Sequence, residues 1–145
     1  MSVLDKLRKF FEIDITEDKN IGEEISLKKA SAALLLEVAR ADLDFSAVEL
    51  EKINSLLHAE FGLSDEEVEQ LLDLLDAENV SMHPFTSLIN EKYGYDKKLR
   101  LMQQLWSVAF ADGELSMYED AAIRKIADLL YVRHSDFIRT KHAES

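Results

Sequence analysis

Residues 39–49 read ARADLDFSAVE and residues 109–119 read AFADGELSMYE, and these two stretches decide the fold. With position 36 set against 106 and no gap, Val38 pairs with Val108, Ala39 with Ala109, Ala41 with Ala111 and Asp42 with Asp112. The register then holds: Asp44 meets Glu114, Phe45 meets Leu115, Ser46 meets Ser116, Glu49 meets Glu119 and Ile53 meets Ile123. Helical periodicity fixes where apolar residues recur but not the shared Ala-Asp and Ser-x-x-Glu identities, so the match indicates an internal duplication. Neither copy can bury its apolar helix alone. The two units are therefore expected to pack with their central helices in contact, giving an all-α domain of two repeated helix-turn-helix units.

The helices that lead into these turns, LLLEVARAD (34–42) and QLWSVAFAD (104–112), are apolar on nearly every side, which marks buried helices. Outward from them, helices are expected near 27–42, 46–60, 64–77, 84–93, 96–111, 116–130 and 134–143. Ser46 with Glu49, Ser64 with Glu67 and Ser116 with Glu119 fit the capping box, in which the serine and glutamate side chains each bond a backbone N–H of the first turn. Pro84 suits a first helical turn, where its missing donor is not needed, and Gly62 and Gly94 fall where helices should end. Ahead of the domain, Val3, Leu4, Leu7, Phe10 and Phe11 recur at helical spacing, followed by a polar stretch from about Asp14 to Ser26. Residues 1–26 are thus expected to be an amphipathic arm and linker, and 27–145 the helical domain. With only Lys6, Arg8 and Lys9 as its cations, the arm is better suited to packing on the body than to peripheral membrane contact through residues 3–11.

A chain of 145 residues with 47% hydrophobic and 32% charged residues has the composition of one globular domain able to bury a core without metal or disulfides. One proline and four glycines favour long helices over turn-rich β architecture. The formal net charge of -12 repels phosphate backbones, which excludes nucleic acid as the expected partner and favours cations and basic protein surfaces. No cysteine is present, so neither a thiolate nucleophile nor a Cys-based zinc site is available. The N-terminal MSVLDKLRKFFEI interrupts its apolar residues with charges and offers no signal-peptide core, so a cytoplasmic location is expected. The longest apolar stretch, Ala32 to Leu36, stops at Glu37, far short of a bilayer span.

The acidic turns carry the candidate chemistry. Asp42 and Asp112 fall at helix C-termini, where the dipole disfavours a carboxylate by about 0.3–1 kcal/mol when exposed. Free N–H groups of the following helix are one compensation. The sharper one is a divalent cation, Ca²⁺ or Mg²⁺, held by Asp42, Asp44 and Glu49 or by Asp112, Glu114 and Glu119, since these ions prefer clustered oxygen ligands. If the carboxylates only cap helices, no cofactor is expected. An EF-hand is excluded: counted from Asp42, the position that must be glycine is Ala47 and the position that must be glutamate is Ile53, and the second copy fails with Met117 and Ile123.

His58, His83, His134 and His142 form no HExxH pattern or i, i+4 pair, and no nucleophile elbow or glycine-rich phosphate loop is present. Catalysis is therefore not expected, a metal-assisted hydrolase being the weakest of the alternatives. Trp106, Phe110 and Tyr131 lie on apolar helical faces and are expected in the core; Asp65, Glu66, Glu69 and Asp73 are expected to form a solvated face.

The paired motifs ARADLDFSAVE and AFADGELSMYE, the intervening FTSLINE (85–91) and the ending IRKIADLLYVRHSDFIRTK (123–141) resemble the tellurite-resistance TerB-like family of small bacterial all-helical domains, over about residues 27–142. The resemblance implies a bacterial protein of that fold and, in parts of the family, an acidic metal site. It implies no defined enzymatic activity. The expectation is a non-catalytic, stress-related binding module with a protein partner and a divalent-cation site at the acidic turns; the alternative is a structural adaptor without metal. Tellurite itself is a poor direct ligand for a chain without thiols.

Overall fold

The computed structural model describes residues 19–41, 47–76, 81–110 and 115–144. These form seven α-helices with no strand among them: α1 (Lys19–Ala41), α2 (Ala47–Ala59), α3 (Asp65–Asp76), α4 (His83–Lys92), α5 (Tyr95–Ala109), α6 (Met117–Leu129) and α7 (His134–Glu144). The N-terminal amphipathic stretch and both acidic turns lie outside the described residues.

The most apolar helix takes the centre. α1 packs against α2, α3, α4, α5 and α6, and its residues 29–36 are buried without interruption. Ala30, Ala32, Ala33 and Ala39 let neighbours approach closely on some sides, while Leu34, Leu35 and Leu36 fill the gaps on others. α1 and α5 pack directly, and Val38 and Ala39 on the one and Val108 and Ala109 on the other are all fully buried. Ile53 and Ile123, aligned on the following helices, are buried as well. No helix among the described residues is long and apolar enough to cross a membrane.

α1 begins at Lys19, inside the stretch the sequence assigned to a linker. The helix preference of Glu23, Glu24, Leu27 and Lys28 outweighs the ~1 kcal/mol that Gly22 costs within a helix. The other helix boundaries fall within about two residues of expectation, and their causes are visible. Gly62 closes α2 with φ +65°, a left-handed conformation for which glycine is the least strained residue, and Leu63 N–H then donates back to the Leu57 carbonyl at 2.9 Å. Pro84 lies in the first turn of α4, and Gly94 starts α5 directly after α4 closes at Tyr93.

Tyr131 departs from its expected place in the core. It is 77% exposed with φ +58°, at the reversal between α6 and α7. The chain must turn back within Leu130–Arg133, and one residue takes the left-handed conformation that lets Val132 N–H reach the Ala127 carbonyl at 2.9 Å. α7 then docks on α5. The Tyr95 hydroxyl donates to Asp136 Oδ2 at 2.6 Å and accepts from Arg133 N–H at 3.0 Å. That hydroxyl bond, with Arg139 and Arg133 beside it, holds the Asp136 carboxyl below its ordinary value against the opposing effect of burial.

Candidate functional site

α5 delivers the chain to the second acidic turn. Its last residues, Trp106, Val108 and Ala109, are fully buried, and Phe110 closes it by donating its N–H to the Trp106 carbonyl at 2.9 Å. Asp112 and Glu114 follow, outside the described residues, and the chain re-emerges at Leu115. Ser116 then caps α6 from an extended conformation, φ -77° and ψ 154°. Its Oγ accepts the Glu119 N–H at 3.0 Å while Glu119 Oε1 accepts the Ser116 N–H at 3.3 Å, the reciprocal box that Ser-x-x-Glu predicts.

Glu119 is only 1% exposed. A surface capping box needs no such burial, and nothing in the spacing announces it; the start of α6 is held down because Ile123 and Ile126, one and two turns further along the helix, anchor in the core. The neighbouring acid, Asp120, faces away and is occupied: Lys141 Nζ of α7 lies 3.1 Å from its Oδ1 and Arg124 3.6 Å from its Oδ2. Replacing Ser116 with alanine is expected to cost about 1 kcal/mol through loss of the cap, read as a lower urea midpoint with unchanged slope.

In the first copy, Asp42 and Asp44 lie outside the described residues, as does the side chain of Glu49 on α2. Of the six candidate ligands, Glu119 alone is placed. Among the described residues no group of three or more His, Asp or Glu side chains could hold a metal ion. Arg40 lies outside the acidic Asp and Ser-x-x-Glu pattern. It occupies the last turn of α1, two positions before Asp42, with its Nη1 buried, and a cation there complements the negative end of the helix dipole. The aligned position in the second copy is Phe110, which closes α5, so the helix ends that lead to the two acidic stretches differ in charge.

Two of the histidines are engaged locally. His58 bridges the α2–α3 turn, with Nδ1 2.8 Å from the Leu63 carbonyl oxygen and Nε2 3.2 Å from Asp65, and His134 starts α7 stacked on Phe137. Asp65, Glu66, Glu69 and Asp73 form an exposed acidic face on α3.

Among the described residues, seven helices and no strand, packed about the central apolar α1, define a class of small helical domains. Within that class, the sequence model of the family described as Tellurite resistance protein TerB matches residues 28–142, and the chain belongs to that family. No curated protein and no solved structure gives a significant match.

Proposed function

We propose that the chain is a non-catalytic, cytoplasmic interaction module of a tellurite-resistance-related stress response that acts through a protein partner. In this proposal the acidic turns, Asp42, Asp44 and Glu49 with Asp112, Glu114 and Glu119, hold a divalent cation, Ca²⁺ or Mg²⁺. The observation that carries it is Glu119, a carboxylate fixed in a buried position a few residues after Asp112 and Glu114. Clustered oxygen ligands of this kind suit hard cations. Membership of the TerB family supports the stress-related role.

A second reading, in which the turns only organise helices, has its own support. Glu119 Oε1 is already used by the Ser116 cap, and Arg40 supplies positive charge at the first turn. The two separate cleanly by experiment, because glutamine keeps a capping box while removing the charge. Thermal unfolding with chelator, Mg²⁺ or Ca²⁺ at fixed ionic strength is expected to show a saturable metal-dependent rise, on the order of 2–3 kcal/mol at a hundredfold excess over Kd. That rise should vanish in Glu119→Gln and in Asp42→Asn with Asp112→Asn, while Glu119→Gln without metal stays near the parent. No saturable rise with any divalent cation rejects the cation site and leaves the turns as structural caps.

A further inference from the structure

A hollow of about 250 Å³ opens between α1, the α2–α3 turn and α5. Leu27, Phe61 and Leu101 give it apolar walls. Its charge runs against that of the protein: Lys28, Lys97 and Arg100 line it, with Glu60 as the single acid, in a chain whose net charge is -12. Glu60 accepts a hydrogen bond from the Gln104 side-chain amide, and three cations against this one carboxylate leave the hollow with positive charge in excess. Lys28 has a partner within the protein, whereas Arg100 is exposed and makes no ion pair among the described residues. Lys97 lies over the Tyr93 ring at 5.5 Å, which holds its ammonium at the rim.

The second observation is Ser31. It lines the same hollow from α1, is 1% exposed, and its hydroxyl has no hydrogen-bond partner among the described residues. A buried hydroxyl without a partner is a net cost to the fold, and an acceptor arriving in the hollow would remove it.

We propose that this hollow binds a small amphipathic carboxylate, with the carboxylate between Lys97, Arg100 and the Ser31 hydroxyl and the hydrocarbon part on Leu27, Phe61 and Leu101. The volume sets the ligand class. Pockets for cofactors and drug-sized molecules begin at roughly 300 Å³, so the hollow suits a short-chain or single-ring acid and not a nucleotide. Recognition needs both halves of the ligand: neutral molecules forgo the cations, and inorganic anions forgo the apolar walls.

The test is a titration of the full ¹⁵N-labelled chain, followed by amide chemical shifts, with hexanoate, hexan-1-ol and inorganic phosphate at constant ionic strength. Hexanoate is expected to give saturable shifts centred on Ser31, Phe61, Lys97 and Leu101, and to bind at least about tenfold more tightly than either control. Lys97→Glu with Arg100→Glu, both at exposed positions, should leave the amide spectrum that of a folded chain and weaken hexanoate by about tenfold or more. Ser31→Ala should raise the melting temperature of the free protein by a few degrees while weakening hexanoate, a combination that a merely structural serine would not produce. Equal binding of hexanol and hexanoate, shifts centred elsewhere, an unaffected Lys97→Glu/Arg100→Glu variant or the lack of any saturable shift would each overturn the proposal.

Discussion

Replacing Trp106 with alanine is expected to remove roughly 3–5 kcal/mol of stability, a large share of the ~5–15 kcal/mol available to a domain of this size. Trp106 is fully buried, packs edge-on against Phe137 at 5.2 Å and lies 6.1 Å from Phe110. Its Nε1–H donates to Thr140 Oγ1 at 3.1 Å, and that hydroxyl has the Asp136 and Phe137 carbonyl oxygens within 3.0 Å as acceptors for its own proton. The indole therefore fills the space between α5 and α7 and satisfies a buried polar group. Alanine leaves a cavity and strands an oxygen lone pair at once. Trp106→Phe separates the two, keeping most of the volume and losing about 1–2 kcal/mol for the missing donor. Because Trp106 is the only tryptophan, urea unfolding of the variants should be followed by circular dichroism. A Trp106→Ala loss under 1 kcal/mol would mean that α7 is not held through this residue. The consequence reaches the candidate site, since the last turn of α5 leads directly into Asp112.

The contrast between what the turns reveal and what they hide has a physical basis. Ser-x-x-Glu is a local signal, because both bonds of the box close within four residues, and the Ser64–Glu67 and Ser116–Glu119 boxes form as their spacing requires. The buried helices were legible for a similar reason: LLLEVARA and QLWSVAF leave no wide polar face. Tyr131 leaves the core although LLYV looks like a continuing apolar face, because periodicity carries no information on where a chain reverses through a left-handed residue. Burial of Glu119 depends on how α6 seats against α1 and α5, and the cationic hollow joins Leu27, Phe61 and Lys97 from three separate segments. Such features arise only from tertiary packing. So does the burial of Lys29, which is fully enclosed beside a half-buried Lys28.

Lys29 and Glu67 should respond unequally to mutation, and the inequality follows from their exposure. Lys29 Nζ lies 3.1 Å from Glu67 Oε2, with the lysine side chain 0% and the glutamate 17% exposed. Glu67 also caps α3, its Oε1 accepting the Ser64 N–H at 3.1 Å. Glu67→Ala thus removes a counter-ion and a cap together and leaves an ammonium that water cannot reach. The expected loss is about 2–4 kcal/mol, moderated because Lys29 keeps a further contact within the protein. Lys29→Met removes the buried charge itself and leaves a carboxylate that water and Ser64 still solvate, so it should cost under about 1 kcal/mol. Combining Lys29→Met with Glu67→Ala should then recover most of the Glu67→Ala loss, leaving about 1 kcal/mol for the cap. An additive double variant would refute the ion pair as the source of the effect. Acid provides an independent check. Burial opposes ionisation of Glu67, but the Ser64 N–H and the Lys29 ammonium outweigh it and hold the carboxyl below its ordinary value of 4.5. Its contribution is then full above that value and is lost as pH falls through the lower folded-state value, where the folded carboxylate takes up the proton that the unfolded chain bound first. Glu67→Gln should flatten the stability profile below about pH 4.5 relative to the parent, and an unchanged acid limb would show that other carboxylates govern it.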